Sequence, residues 1–357
     1  MKPFAPRLDL LRGRVDLNHG AGGRSTAQLI AQLFEPALRN PLLNTAEDAA
    51  VLPGLEAHGP ASAAAASARL VVACDAHVVS PIFFPGGDLG SLAVHGTLND
   101  LAMMGARPLY LSAAFILEEG FPLGDLHRLA RSMGDAARAA GVAIVTGDTK
   151  VVERNKADGV FITTTGIGIL DAELSLASSA ARPGDRIIVS GSIGDHGIAV
   201  ISRRESFAFD TSIVSDSADL TPLVRCVLEA GSTGVRVLRD PTRGGLATAL
   251  NEIAHSSQVS LQIREEALVV KPQVHAACEL LGLDPLYIAN EGKVVLICNP
   301  AVAEAVLHAM RQHPLGADSA AIGEVCAGEP GSVVMQTRLG GWRLVDWLSG
   351  DPLPRIC

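Results

Sequence analysis

The chemistry-bearing residues of this chain are a thiol on a proline-rich segment and a set of aspartates beside glycines. Cys357 closes the run Ser349-Gly350-Asp351-Pro352-Leu353-Pro354-Arg355-Ile356-Cys357, whose two prolines and glycine disfavour helix. Extended, the residues after Trp347 reach roughly 35 Å, so the segment reads as a tether for its sulfur. Asp75 and Asp148 are expected just after strands at 70–74 and 143–146, and Asp48 precedes the apolar step Ala49-Ala50-Val51-Leu52. Asp100 falls late in a helix expected over 89–104, on a face with Ala93, Gly96, Thr97 and Met104, where its charge opposes the helix dipole. Singly, each aspartate is commonly a turn residue. Together, at corresponding ends of consecutive elements, they suit a magnesium–triphosphate site, since magnesium reaches nucleotides through one or two carboxylates plus phosphate oxygens.

Glycine runs could supply backbone donors for such a ligand. His19-Gly20-Ala21-Gly22-Gly23-Arg24-Ser25 and Phe84-Pro85-Gly86-Gly87-Asp88 each precede a helix, a position where N–H groups can cradle an anion. Neither matches a Walker A or dinucleotide fingerprint, and an ordinary connection is the plain alternative. In the second half, Arg239-Asp240-Pro241-Thr242-Arg243-Gly244-Gly245-Leu246 leads into a helix and Asn290-Glu291-Gly292-Lys293 into a strand. Both are also ordinary turn material.

The elements that must position these residues alternate along 357 residues, a length that suits two domains. Strands are expected at 70–74, 110–117, 143–146, 160–170, 186–190, 259–263, 293–298 and 321–325. Helices are expected at 26–34, 89–104, 125–140, 220–230, 246–255, 271–281 and 301–313. Arg182-Pro183-Gly184-Asp185, after 175–181, marks a boundary between two α+β halves, and the alanine- and serine-rich stretch 57–68 reads as a surface insert. Hydrophobic residues at 48% and charged residues at 19% argue against general disorder, and a net charge of −9 gives no footprint for nucleic acid or an anionic membrane. No signal peptide or membrane-length apolar run is read, and six scattered cysteines without a C-x-x-C pair suit reduced thiols in a cytoplasm. Five of them read as inert core; Cys357 stands apart.

In order and spacing, Phe83-Phe84-Pro85-Gly86-Gly87-Asp88-Leu89-Gly90, Asn99-Asp100-Leu101-Ala102, Gly147-Asp148-Thr149-Lys150 and Asp240-Pro241-Thr242-Arg243-Gly244-Gly245 resemble the aminoimidazole-ribonucleotide-synthetase (PurM-like) superfamily of ATP-dependent enzymes. The ending Pro354-Arg355-Ile356-Cys357 narrows the resemblance to the carbamoyl dehydratases of hydrogenase maturation. The likeness runs from about Val15 to Cys357, outside the N-terminal extension and the 57–68 insert. It implies a two-domain α+β fold: an N-terminal extension with glycine loop and helix (1–45), an ATP-binding and dimerisation domain (46–172), a C-terminal α/β sandwich (173–347) and a mobile tail (348–357). The first domain's sheet would pair across a homodimer into a barrel.

The same resemblance places Asp48, Asp75, Asn99, Asp100, Gly147 and Asp148 in the nucleotide motifs, with Asp48, Asp75, Asp100 and Asp148 toward Mg2+. It places Asp240 and Arg243 on the cleft, and Lys150 and Glu291 beside the modified Cys357. Ala49 departs from the Gly or Gln frequent in relatives, which leaves the neighbouring carboxylate intact but puts the local turn in doubt. The implied reaction is ATP-dependent dehydration of a thiocarboxamide on Cys357, loaded by a carbamoyltransferase (HypF), to a thiocyanate that passes to a HypC–HypD complex. Lys150 would stabilise charge on oxygen and Glu291 would take the nitrogen proton. Two other readings compete. A small-molecule synthetase of the superfamily needs no terminal thiol, and a selenophosphate synthetase would want a reactive cysteine in an N-terminal glycine loop, whereas the first cysteine here is Cys74. A carrier that uses Cys357 only for docking would consume no ATP.

Overall fold

A computed structural model describes residues 17–20, 23–34, 47, 49–52, 69–170, 174–204, 212–350, 353 and 355–357. The first half runs α1 (Arg24–Leu29), β1 (Ala50–Val51), β2 (Arg69–His77), the small hairpin β3 (Phe83–Phe84) and β4 (Gly87–Asp88), α2 (Leu89–Met103), β5 (Arg107–Glu118), α3 (Leu123–Ala139), β6 (Ala143–Val152) and β7 (Val160–Leu170). Its sheet has the order β1-β2-β7-β5-β6, with only β5 and β6 parallel. Period-two burial fixes the faces. Leu111, Ala113 and Leu117 of β5 and Val160, Ile162 and Thr164 of β7 point to the helices.

Helix α2 is apolar on nearly all sides, as a helix enclosed between a sheet, α3 and the second half must be. Asp88 caps it, accepting from the Gly90 and Ser91 amides at 2.9 and 3.0 Å. Helix α3 is amphipathic and seats Leu129, Met133 and Ala137. The opposite face of the sheet stays open, with Tyr110, Ile116 and Ile167 exposed.

The second half runs β8 (Arg186–Val189), α4 (Asp195–Ile201), α5 (Thr221–Gly231), β9 (Val235–Arg239), α6 (Gly245–Ser257), β10 (Ser260–Arg264), α7 (Pro272–Leu281), β11 (Val295–Cys298), α8 (Pro300–Gln312), β12 (Ala320–Cys326), β13 (Ser332–Gln336) and β14 (Trp342–Leu344). The sheet order is β14-β13-β10-β12-β8-β11-β9. Helices α5 and α8 cover one face through Leu223, Val227, Val306 and Met310, and α6 covers the other through Leu246, Leu250 and Ile253. A third cluster joins the halves: Leu89, Leu92 and Ile162 pack in it with Ile198 and Ile201 of α4, Val274 of α7, and Leu353 and Ile356 of the C-terminal segment.

Three expectations change. Strand β2 continues through Asp75 to His77, and β6 through Gly147, Asp148 and Lys150 to Val152, so Asp75 and Asp148 stand within strands. The turn-like Thr-Gly-Asp-Thr stays extended because its pairing with β5 runs on, Ala113 opposite Gly147 and Ile116 opposite Lys150. A Cβ at Gly147 would lie 2.3 Å from the Ala113 carbonyl oxygen, which explains the glycine. Among the cysteines, Cys278 and Cys298 are buried, their thiols pushed up to about 11 by burial, but Cys74 is exposed on β2. Among the described residues no helix is long and apolar enough to cross a membrane.

Candidate active site

A cavity of about 460 Å³ lies between the two sheets and is lined by both halves. Strand β2 contributes Asp75 and His77, and α2 contributes Gly96 and Asp100 one turn apart. The β9–α6 connection contributes Asp240 and Arg243, α6 contributes Thr248, and Glu291 and Cys357 complete the wall. Gly23, at the start of α1, lines the mouth. The Gly244-Gly245 step is required because both adopt positive φ and a Cβ on Gly245 would meet the Leu286 carbonyl oxygen at 2.5 Å. Thr248, 3% exposed, aims an unpartnered hydroxyl beside this helix start.

Glu291 is held by its backbone. Its amide donates to Asp216 Oδ1 at 3.0 Å, and its carbonyl accepts from Asn99 Nδ2 at 3.2 Å. Asp216 is fixed in turn by Lys293 Nζ at 2.9 Å. A Cβ at Gly292 would fall 1.7 Å from the Asp216 carbonyl oxygen, so only glycine admits this approach. The Glu291 side chain is 4% exposed; Oε1 has no partner, and the carboxyl shares a hydrogen bond with the Cys357 thiol. Burial, reinforced by Asp240, Asp75 and Asp216, raises its pKa well above the ordinary carboxylate range. The Cys357 thiol is likewise raised, by burial first and by Glu291 next, while the Arg243 guanidinium opposes the rise. Both groups therefore bind a proton more tightly than usual, with a cation at hand for negative charge that develops on the substrate.

The C-terminal segment is seated here rather than free. The amides of Val78 and Ser80, just past β2, donate to the carbonyls of Cys357 and Arg355 at 3.2 and 3.0 Å, so the segment extends the sheet edge. Leu353 and Ile356 are 7% and 5% exposed.

Of the residues read from sequence, the structure gathers Asp75, Asp100, Asp240, Arg243, Glu291 and Cys357 in one cavity. Asp48 lies outside the described residues. Asn99 is buried behind the wall, its amide tying Glu291 to the backbone at Ala218 and Leu220. Gly147, Asp148 and Lys150 lie on β6 at the far edge of the first sheet, where Lys150 Nζ sits 2.6 Å from Asp148 Oδ2 and holds that carboxyl below its usual range. The Phe84–Asp88 loop does not line the cavity. Sequence reading passed over His77, whose Nε2 lies 3.5 Å from Asp75 Oδ2, and the Arg239–Glu252 pair at 2.6 Å. Only the neighbouring Asp75 and Asp240 could have signalled them.

Burial, opposed by Arg239, pushes the Asp240 carboxyl up to about 6. The group takes up a proton on folding between pH 3.8 and 6, so its destabilisation is absent below the lower value and complete above the upper. Asp240→Asn is expected to stabilise the ligand-free chain by on the order of 1–2 kcal/mol at pH 8 and by almost nothing at pH 4, because the residue keeps some contact with water. Melting curves at the two pH values check this; an equal shift at both would overturn it.

Residues 46–170 and 182–336 match the family models described as AIR synthase related protein, N-terminal and C-terminal domains, so fold and site define a member of that class of two-domain proteins. The carbamoyl dehydratase HypE of Cupriavidus necator is 60% identical over 350 residues, 98% of this chain and 97% of the relative. A HypE–HypF complex gives a TM-score of 0.81 at 46% identity, covering 89% of this chain and 99% of that one. A hydrogenase maturation protein HypE in complex with ATP gives 0.78 at 48%, covering 96% and 100%. The chain belongs to the HypE family of carbamoyl dehydratases.

Proposed function

We propose that the cavity is where a carbamoyl group carried on Cys357 is dehydrated at the expense of ATP, giving the thiocyanate that supplies the cyano ligand of [NiFe] hydrogenase iron. The observation that carries this reading is the Cys357 thiol, hydrogen-bonded to a buried carboxyl inside a cavity that also holds Asp75 and Asp100. A synthetase for a free small molecule is not favoured, because the chain's own segment fills the place its substrate would need.

An amide oxygen is a poor leaving group. Attack of that oxygen on the γ-phosphorus releases ADP and leaves a phosphorylated imidate on the sulfur, the first of the two nitrogen protons passing to solvent. Glu291 then takes the nitrogen proton as the C–O bond breaks, the lone pair closes the C≡N bond, and phosphate departs. The sum is thiocarboxamide plus ATP giving thiocyanate, ADP and phosphate. Arg243, raised in pKa chiefly by Cys357, neutralises charge on the oxygen. Among the described residues no cluster of three or more His, Cys, Asp or Glu could hold a metal. Two carboxylates facing one cavity fit magnesium that arrives with triphosphate, and Asp75 and Asp100 would hold it while it screens the phosphate charge.

A homodimer supplies the rest. In the first sheet β6 is an open edge bearing exposed Val145 and Val151, and β1 covers only Val71 and Val72 of β2, leaving Cys74 to His77 unpaired on that side among the described residues. Two such sheets joined edge to edge close into a barrel and remove both open edges. Such a pairing would bring β6 of one copy, with Asp148 and Lys150, to the open side of the other's β2, which supports the nucleotide and catalytic roles read for them, with Asn99 acting through Glu291. HypF as donor is supported by the likeness to the HypE–HypF complex, and HypC–HypD is the acceptor the family resemblance implies; Cys357 must leave the cavity to meet either.

The deciding experiment is intact mass spectrometry after incubation with ATP, Mg2+, a carbamoyl donor and HypF. Conversion of the carbamoylated to the cyanated mass, one ATP consumed for each, is expected. ATP hydrolysis without that change of mass would sink the proposal.

A further inference from the structure

The Phe83-Phe84-Pro85-Gly86-Gly87-Asp88 run stands out in the sequence yet lies away from the cavity. Its contacts lead to the C-terminal segment. The Phe84 ring meets the His196 ring edge-on, centroids 5.4 Å apart and planes at 85°. The Pro85 carbonyl accepts from the Ser215 amide at 2.7 Å, and a Cβ at Gly86 would strike Ser215 at 2.8 Å. Ser215 Oγ in turn lies 2.8 Å from His196 Nδ1. The imidazole is completely buried, and its Nε2 lies 2.8 Å from the Ile356 carbonyl oxygen. A carbonyl only accepts, so Nε2 carries the proton; Nδ1 of the neutral ring then accepts from the Ser215 hydroxyl. Loop, serine and ring form a chain of fixed contacts ending on the residue before the reactive cysteine. Arg204 adds a second hold, donating to the carbonyls of Ser80 at 2.9 Å and Arg355 at 3.0 Å.

We propose that His196 is a positioning residue for the reaction: oriented by Ser215 and Phe84, it latches the Ile356 carbonyl and so aims Cys357 at Glu291. The Phe-Phe-Pro-Gly-Gly loop is the mount of that latch. The proposal rests on the reading that Cys357 carries the reacting group, and it adds the group that sets how long the cysteine stays inside. Without the Nε2 proton the Ile356 carbonyl would be buried with one donor fewer. The seated state would lose population to the released one, because opening restores that carbonyl's access to water.

The test is site-resolved alkylation of the full-length protein with iodoacetamide, read at each cysteine by peptide mapping, beside single-turnover dehydration. His196→Leu keeps the volume and removes the donor. It is expected to alkylate Cys357 about tenfold faster and to slow dehydration per loaded chain with the KM for ATP unchanged. His196→Gln restores a donor near the Nε2 position and is expected to return both rates toward the parent. Ser215→Ala, which frees the ring to turn and also removes the acceptor of the Ser217 amide, gives a smaller change in the same direction and serves if His196→Leu does not fold.

Buried Cys278 and Cys298 report on general loosening. If they become reactive together with Cys357, or if Cys357 in a folded variant alkylates at the parent rate, the latch is overturned. Alkylation needs neither ATP nor a carbamoyl donor, so a parent protein that never cyanates would defeat the functional reading and leave this result standing.

Discussion

Glu291→Gln is expected to stop the chain at the carbamoylated stage. Loaded by HypF and given ATP, the variant accumulates the carbamoyl mass on Cys357, and its conversion to thiocyanate slows by about 10²–10⁴-fold, the usual contribution of a general base. Gln preserves the size of the side chain and a hydrogen bond to the sulfur, but it cannot take a proton. The parent carboxyl is suited to do so: burial and three neighbouring carboxylates raise its proton affinity, and Oε1 faces the cavity without a partner. ATP affinity changes little, since Asp75 and Asp100 are untouched. Cys357→Ala is the companion; it binds ATP and gives no cyanated protein at all. Prompt cyanation of the Gln variant, followed by intact mass, contradicts the assignment.

Mixing Lys150→Ala with Cys357→Ala chains, each inactive alone, is expected to restore activity. Within one chain Lys150 is three strand steps from β2, roughly 14 Å at the usual spacing, so it does not reach the cavity of its own subunit. In a mixed dimer the intact lysine of one copy meets the intact cysteine of the other, and random reassortment gives up to about a quarter of the parent rate. Recovery is measured as cyanated protein after the two variants are exchanged at low concentration and reconcentrated. If the mixture stays as inactive as its components while size measurements show exchange, Lys150 does not act across the interface.

The sequence showed the parts of this site that are tied to backbone necessity. Gly244 and Gly245 must be glycine for φ and contact reasons, and Gly292 for the approach of Asp216, so the Asp240–Gly245 and Asn290–Gly292 runs announced themselves. Asp100 followed from helical spacing. Asp75 and Asp148 were found as residues but misplaced as loop ends, because an aspartate that ends an apolar run, or one between glycine and threonine, suggests a turn until a partner strand is known to continue alongside. The short strands β13 and β14 went unread, since β13 depends on parallel pairing with β10, distant in sequence, and β14 on β13 through a short turn. The anchoring of the last residues was hidden for a similar reason: prolines and a glycine suggest a loose tether, and the pocket that receives Leu353 and Ile356 is assembled from α2, α4 and α7. His196 carries no local signal, because everything that orients it comes from other parts of the chain.

Leu353 and Ile356, packed into the core shared by the two halves, make the protein its own competitor. Any soluble imitation of the carbamoylated cysteine must displace an occupant tethered by a short segment, whose effective concentration is on the order of millimolar. Inhibitor screens on the intact chain will therefore under-report ligands for this cavity, whereas a chain truncated before Leu353 would offer the remaining walls, without Cys357 and without the rival.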